Sequence, residues 1–576
     1  MKSETKACQN CKKDFTIEAD DFLFYEKIKV PPPTFCPECR RNRRWVWRNE
    51  RTYYKRKCDA PGHDENIISL YSQDSKHVVY DQNYWWSDEW NVMDYGMEYD
   101  FSRPFFDQYR ELLSKVPLIS LSNTQSINSD YCSSTAWNKD CYLISGSGWN
   151  EKVSYANRAT KNTDSMDLYI VENSELCYDS LYCRKCYRIF FSYQCEACNN
   201  SSFLYNCKNC QNCFCCSNLR GKNYCFFNQQ LSKDEYELKI KEINLGNFNN
   251  IELIKEKFYE QIYLKSVHRF ADIINSSGSP GDYLKNAKNC INCYDFGGDN
   301  AENCRYVDWS GFNTKDLYDT GPGAGWGSSL LYEGLDINDS SGIIGSIVCY
   351  DSNNCSYCFN VQNSSNLFGC YGLHGKKYCI LNKQYSKEEY ENIILRIKKH
   401  MMDMPYVDSK GRVYKYGEFL PSELSPFAYN ETVAQEYFPL SKDQVLEQGY
   451  NWKEKEDRNY KIDIKAEEIS NDISEVMDDI TNEVIECNHK GVCNQQCTGA
   501  FKIIPEELQF YRRMNLPIPR LCPNCRHYER LAQRNPMKLW HRSCMKEGCT
   551  NTFETSYAPE RPEIIYCEKC YQQEVY

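Results

Sequence analysis

The sequence predicts a mainly β, multidomain protein: a central right-handed parallel β-helix, in two half-solenoids with helical caps, flanked at both ends by treble-clef or zinc-ribbon modules. Three observations predict it. Cys183, Cys195 and Cys207 lie 12 residues apart, as do Cys186, Cys198 and Cys210, so three Cys-x-x-Cys pairs recur in register. Short segments such as LCYDSLYC, KCYRIFF and SIVCY, separated by Asn/Ser/Gly/Lys turns, are strands that cannot bury themselves singly, the mark of a solenoid. Finally, FCPECRRNRRWVWRNERTYYKRKC from Phe35 is nearly rewritten as LCPNCRHYERLAQRNPMKLWHRSC from Leu521, at an offset of 486 positions.

At 576 residues the chain exceeds one hydrophobic core, and 41% apolar and 26% charged residues suit a modular globular protein. The opening MKSETKACQNCKK lacks a signal peptide's apolar centre, and no run of about 18 apolar residues follows. We therefore expect a cytoplasmic protein with no membrane partner. The 35 cysteines are odd in number and often paired as Cys-x-x-Cys, which suits zinc thiolates in a reducing compartment better than disulfides. Residues 1–57 hold 15 Lys/Arg against 8 Asp/Glu, and residues 487–543 hold 10 against 3. Both ends are thus basic in a chain of net charge -11, and nucleic acid or a nucleoprotein becomes a candidate partner.

Taken in order, residues 1–57 form a first finger in which Cys8, Cys11, Cys36 and Cys39 make a closed four-thiolate zinc site. The second knuckle runs into a helix carrying Arg40, Arg41, Arg43, Arg44 and Arg48, candidate phosphate contacts. Residues 58–98 read as a degenerate ribbon. Cys58 falls on Cys544 and His63 on Cys549, but Asp81 and Tyr84 stand where the other copy has Cys567 and Cys570. An empty packed remnant is expected there, with no ion at Cys58; a site from Cys58, His63 and Asp81 is the alternative. A linker helix over 99–122 leads to half-solenoid one at 123–230, a helical spacer at 231–285 and half-solenoid two at 286–385. Coils of 20 to 24 residues with two strands each are predicted. An antiparallel propeller or sandwich is the alternative.

SNLRGKNYCFFNQQLSKDEY from Ser217 recurs as YGLHGKKYCILNKQYSKEEY from Tyr371, and Ser232 with Glu235, like Ser386 with Glu389, spells a capping box. Helices should therefore close each half, shielding its strand edge. Because residues i and i+3 of a strand point to opposite faces, the central Cys-x-x-Cys pairs are expected to be stacked thiols rather than metal ligands. Residues 386–486 hold a capping helix and an irregular connector containing KEKEDRNYK. SNDISEVMDDITNEVIEC should then be helical, with Ile473, Val476, Ile480 and Val484 on one face.

Residues 487–543 repeat the finger, with Cys493, Cys497, Cys522 and Cys525 as ligands, Cys487 or His489 as alternatives, and Arg526, Arg530 and Arg534 on its helix. Residues 544–576 add a ribbon with Cys544, Cys549, Cys567 and Cys570, so three structural zinc ions are expected. The pattern Cys-x2-Cys-x3-Phe, an acidic residue, Phe-Tyr, then Cys-Pro-x-Cys-Arg resembles the "probable zinc-ribbon" family of bacterial proteins at residues 8–44 and 493–530. The whole chain is similar to uncharacterised zinc-ribbon proteins of candidate phyla radiation bacteria, a resemblance that implies architecture and no activity.

The leading functional expectation is a non-enzymatic zinc-binding scaffold contacting nucleic acid through the Arg-rich fingers. A β-helix enzyme acting on a polymer is the second reading, against which no paired-carboxylate, nucleophile or phosphate-loop motif is found. A structural or protein-interaction protein is the third. Oligomeric state is not encoded in any motif.

Overall fold

The computed structural model describes residues 2–454 and 461–576, so part of KEKEDRNYK lies outside the described residues. Its centre is a parallel β-solenoid of about 22 turns. Strands of the first half pair in parallel at a constant shift of twelve, as in Met166↔Tyr178, Tyr178↔Phe190, Phe190↔Ser202 and Ser202↔Phe214. One coil is therefore 12 residues, not the expected 20 to 24. The Cys183, Cys195 and Cys207 spacing was the coil itself.

The coil is short because of a backbone rule with period three. From Gln125 to Phe227, every third residue is left-handed, at φ near +50° (Tyr182 +50°, Lys185 +54°, Arg188 +52°, Phe191 +51°), with glycine taking the position at Gly146 and Gly221. Two extended residues and one left-handed residue make each side, and four sides make the coil. Asn and Asp enter the left-handed region more cheaply than other non-glycine residues, which explains Asn206, Asn209, Asn212 and Asn218 at such corners.

The same rule corrects the expectation for Cys-x-x-Cys. A left-handed corner between the two cysteines resets the pleat, so Cys183 and Cys186 both point inward and are buried, as are Cys195, Cys198, Cys207 and Cys210. They share a core with Ile144, Val153, Leu168, Ile189 and Leu204. Polar inward positions are satisfied by the neighbouring coil: the Asn150 amide donates to the Asn138 side-chain oxygen at 3.1 Å, and the Asn162 amide to that of Asn150 at 3.3 Å.

The second half winds less evenly. Tyr294↔Asp308 and Leu317↔Leu331 are fourteen apart, Ala301↔Thr314 thirteen, and the twelve-residue shift returns at Ser329↔Ser341. The register slips just after Gly297, which still pairs with Lys285 at a shift of twelve before Ala287 pairs with Ala301; Gly297 sits at φ +116°, where a Cβ would lie 2.0 Å from the Lys285 carbonyl oxygen. Only glycine fits.

Each half ends in an antiparallel turn and a capped helix, Lys233–Lys241 after the first and Lys387–Asp403 after the second, and both predicted capping boxes are present. Phe105–Lys115 is the helix expected before the first half. SNDISEVMDDITNEVIEC departs from expectation. It forms two short 3-10 turns, Ile473–Glu475 and Asp478–Thr481, because Asp472 takes the Ser474 amide with its side chain and the chain then turns to pack Ile473 and Ile480 with the second finger.

Candidate metal centres and the arginine interface

Each finger is a hairpin, a helix and a second knuckle that starts another helix. In the first, Glu4–Ala7 pairs with Asp14–Ile17, Ala19–Ile28 follows, and α1 (Pro37–Trp45) begins with proline at its first turn. In the second, Ile485–Glu486 pairs with Ala500–Phe501, Pro505–Met514 follows, and α2 (Pro523–Ala532) starts in the same way.

Three sets of four thiols converge, and each can hold a metal ion: Cys8, Cys11, Cys36 and Cys39; Cys487, Cys497, Cys522 and Cys525; and Cys544, Cys549, Cys567 and Cys570. Sulfurs on a tetrahedral ion at about 2.3 Å lie about 3.8 Å apart. Cys11 and Cys36 Sγ are 3.7 Å apart, Cys497 and Cys522 3.9 Å, and Cys549 and Cys567 3.9 Å. Shared hydrogen bonds split the proton affinities within a cluster, holding Cys8 well below the usual thiol range while Cys36 and Cys39 are raised, so the four sulfurs do not titrate alike.

The second set differs from the expected one by taking Cys487 in place of Cys493. Hydrogen bonds identify Cys487 as the counterpart of Cys8. The Cys36 amide donates to Cys8 Sγ at 3.2 Å and the Cys522 amide to Cys487 Sγ at 3.3 Å. The Gln9 amide meets the Thr34 carbonyl as the Asn488 amide meets that of Arg520. The first knuckle of the second finger is thus an expanded loop, and Cys493 lies at its edge, 3.8 Å from Cys525 Sγ and grouped with His489.

The central cysteines are a different chemistry. Cys183 Sγ lies 3.1 Å from the Leu181 carbonyl oxygen, and Cys186 Sγ 3.3 Å from that of Arg184, the geometry of a protonated thiol donor. Burial pushes Cys132 up to about 12 and Cys141 up to about 11. Among the described residues no metal-ligand group includes a solenoid cysteine.

The arginines singled out as phosphate contacts are buried and paired with carboxylates. Arg40 meets Asp319 at 2.9 Å, Arg41 meets Asp308 at 2.7 Å, and Arg43 is held by Glu333 at 2.5 Å and Glu418 at 2.8 Å. Arg44 meets Glu333 at 3.0 Å, and Arg48 lies between Glu50 and Asp336, 2.8 Å from the latter. On α2, Arg526 and Arg530 share Asp167 at 3.0 and 2.8 Å, and just past its end Arg534 meets Asp295 at 2.8 Å. None of these arginines is more than 9% exposed, so the expected basic surface is an interior interface. The physical reason lies in the corners of the solenoid. Asp167, Asp295, Asp319, Glu333 and Asp336 all occupy left-handed positions with φ of 49–56°. Burial pushes Asp308, Glu333 and Asp336 above the usual carboxylate range, and the neighbouring guanidinium groups pull each back.

The pairing is crossed. α1 packs against Thr314–Thr320 and Ser329–Asn338 of the second half, whereas α2 packs against Thr163–Tyr169 and Tyr178–Leu181 of the first. The ribbons do the reverse: Val79–Tyr80 pairs in parallel with Leu118–Ile119 before the first half, and Ile564–Tyr566 with Val267–Arg269 before the second. Each terminal module therefore touches both halves. Between the fingers, Glu436 accepts from Arg51 at 3.3 Å and lies 3.0 Å from His527, which is itself 2.7 Å from Arg51.

Sequence reasoning held Cys487 only as an alternative to Cys493 and missed all the carboxylate partners. The signal for the second was the charge imbalance, since basic ends in an acidic chain are complementary to its middle. Among the described residues, no helix is long and apolar enough to cross a membrane. Compared with known proteins, the chain matches no family model and no curated protein, so the zinc-ribbon resemblance rests on its motif alone.

Proposed function

We propose that the protein is a non-enzymatic scaffold whose ends hold three structural zinc ions and lock the two half-solenoids into one body that presents its outer surface to a protein partner. Four closely spaced sulfurs per set favour zinc, which takes closed four-thiolate sites when its role is structural. Each ion fixes the start of an Arg-bearing or ribbon helix and supplies folding energy rather than reactivity. The observation that carries the reading is the burial of α1 and α2 arginines against solenoid carboxylates. Those arginines are committed within the molecule, so the nucleic-acid reading loses the residues that motivated it.

The test replaces Arg43, Arg44 and Arg48 together with Ala, then follows unfolding, bound zinc and binding to mixed cellular RNA and DNA at several salt concentrations. The expected outcome is a large loss of stability with no arginine-dependent nucleic-acid binding in the parent protein. A variant as stable as the parent, with zinc retained and salt-dependent binding lost, would reverse the assignment in favour of nucleic-acid recognition.

A further inference from the structure

The first ribbon has lost three of the four thiols that its duplicate keeps, yet its ligand chemistry has not disappeared. Cys58, His63 and Glu65 bring one sulfur, one imidazole nitrogen and one carboxylate oxygen within 4.8 Å of one another. The backbone around them is that of a working ribbon. Tyr54–Lys57 pairs with Asn66–Ser69 as Trp540–Ser543 pairs with Thr552–Thr555. The Cys58 amide donates to the Glu65 carbonyl as the Cys544 amide does to that of Asn551. The Asp81 amide donates to Cys58 Sγ at 3.2 Å, the same bond and length that the Cys567 amide makes to Cys544 Sγ in the four-thiol cluster.

The sequence led us to expect an empty remnant here, with Cys58, His63 and Asp81 as the alternative set, and the third member of the observed group differs from that alternative. Asp81 does not join the group, because its Oδ1 accepts from the Asn83 amide at 2.8 Å and caps the short helix Gln82–Trp85. Glu65 supplies the carboxylate instead, from the residue just before the outgoing strand of the hairpin, with Oε1 2.8 Å from His63 Nδ1. Tyr84 occupies the position of Cys570 and packs edge-on to the His63 ring, with centroids 4.6 Å apart. It fixes the imidazole and leaves the fourth direction without a protein thiolate.

We propose that Cys58, His63 and Glu65 form a fourth metal site, taking a thiophilic divalent cation such as zinc or cobalt(II), with one coordination position open to water or an exogenous ligand. Three mixed protein ligands and an open position is the arrangement of exchangeable or reactive zinc, whereas four thiolates make a closed one. The site is reachable, since the side chains of His63 and Glu65 are 30% and 47% exposed. It should lose its ion before the three thiol clusters do.

The test uses the full chain loaded with excess zinc, desalted, and challenged with a chromophoric chelator of micromolar affinity. Four ions per chain are expected, one released quickly and three retained. Cys58→Ser and Glu65→Gln should each bind three ions and show no fast release. Cobalt(II) placed in the fast site should give a thiolate-to-metal charge-transfer band that Cys58→Ser abolishes. Three ions in the parent chain at excess zinc, or four ions with unchanged release in both variants, overturns the proposal. Should Cys58→Ser fail to fold, the exposed Glu65→Gln decides the matter alone.

Discussion

Asp319 shows what the terminal modules do at the scale of one side chain. It lies 2.9 Å from Arg40 and 3.6 Å from Arg44, and all three are buried. Removing one partner of a buried pair leaves an uncompensated charge and costs about 3–5 kcal/mol. Asp319→Ala should therefore lower the unfolding free energy measured in urea by that order, even though Asp319 belongs to no finger's cysteine cluster. A second prediction concerns His268, which is buried. Burial brings its value down from 6.5 to about 4. Its Nδ1 lies 2.8 Å from the Tyr205 hydroxyl and its Nε2 3.0 Å from the Tyr263 carbonyl, so a neutral ring with the proton on Nε2 satisfies both. The unfolded chain binds a proton below about 6.5 that the folded ring refuses until about 4. Stability should therefore be lost as pH is lowered from about 6.5 to about 4, by up to about 3 kcal/mol from this group. His268→Asn should flatten that part of the stability–pH curve relative to the parent. An unchanged slope would contradict the assignment.

At the scale of the element, the solenoid was legible in its pairing and not in its geometry. The 12-residue recurrence of Cys183, Cys195 and Cys207 could be read directly, and so could both capping boxes. The period of three could not. It rests on left-handed corners occupied by Tyr182, Phe203 and Leu176 as well as by Asn and Asp, and bulky residues give no signal of that conformation. The coil interior yields its own prediction. The Asn150 amide donates to Asn138 and to the Ala159 carbonyl, while its oxygen accepts from Asn162 and its backbone amide. Asn150→Ala breaks the ladder in its middle and leaves buried polar groups unpaired, at about 1–3 kcal/mol each. It should cost far more than Asn209→Asp, which alters an exposed corner, and chemical denaturation of the two variants compares them. The metal sites were legible because Cys-x-x-Cys spacing is strict. Cys487 was less so, because its knuckle spans ten residues where the first finger spans three.

Across the whole molecule, duplication and crossing explain why one chain carries the same module at both ends. Each finger docks on the half-solenoid farther from it in sequence, and each ribbon extends the entry to the other half. The charge pattern carried this complementarity in the sequence, but which acids met which arginines depended on coil corners that no spacing marked. The proposed zinc ions fix the starts of α1 and α2, and those helices hold the halves together through Asp167, Asp308, Asp319 and Glu333. The most direct test is hydrogen–deuterium exchange of the full chain before and after metal removal. The account predicts that stripping the metal raises exchange in residues 5–57 and 487–570 and in the coils under the arginines, 163–181 and 308–338, while the inner coil amides of 195–217 and 349–370 stay protected. Unchanged protection of α1 and α2 after complete metal loss would contradict it.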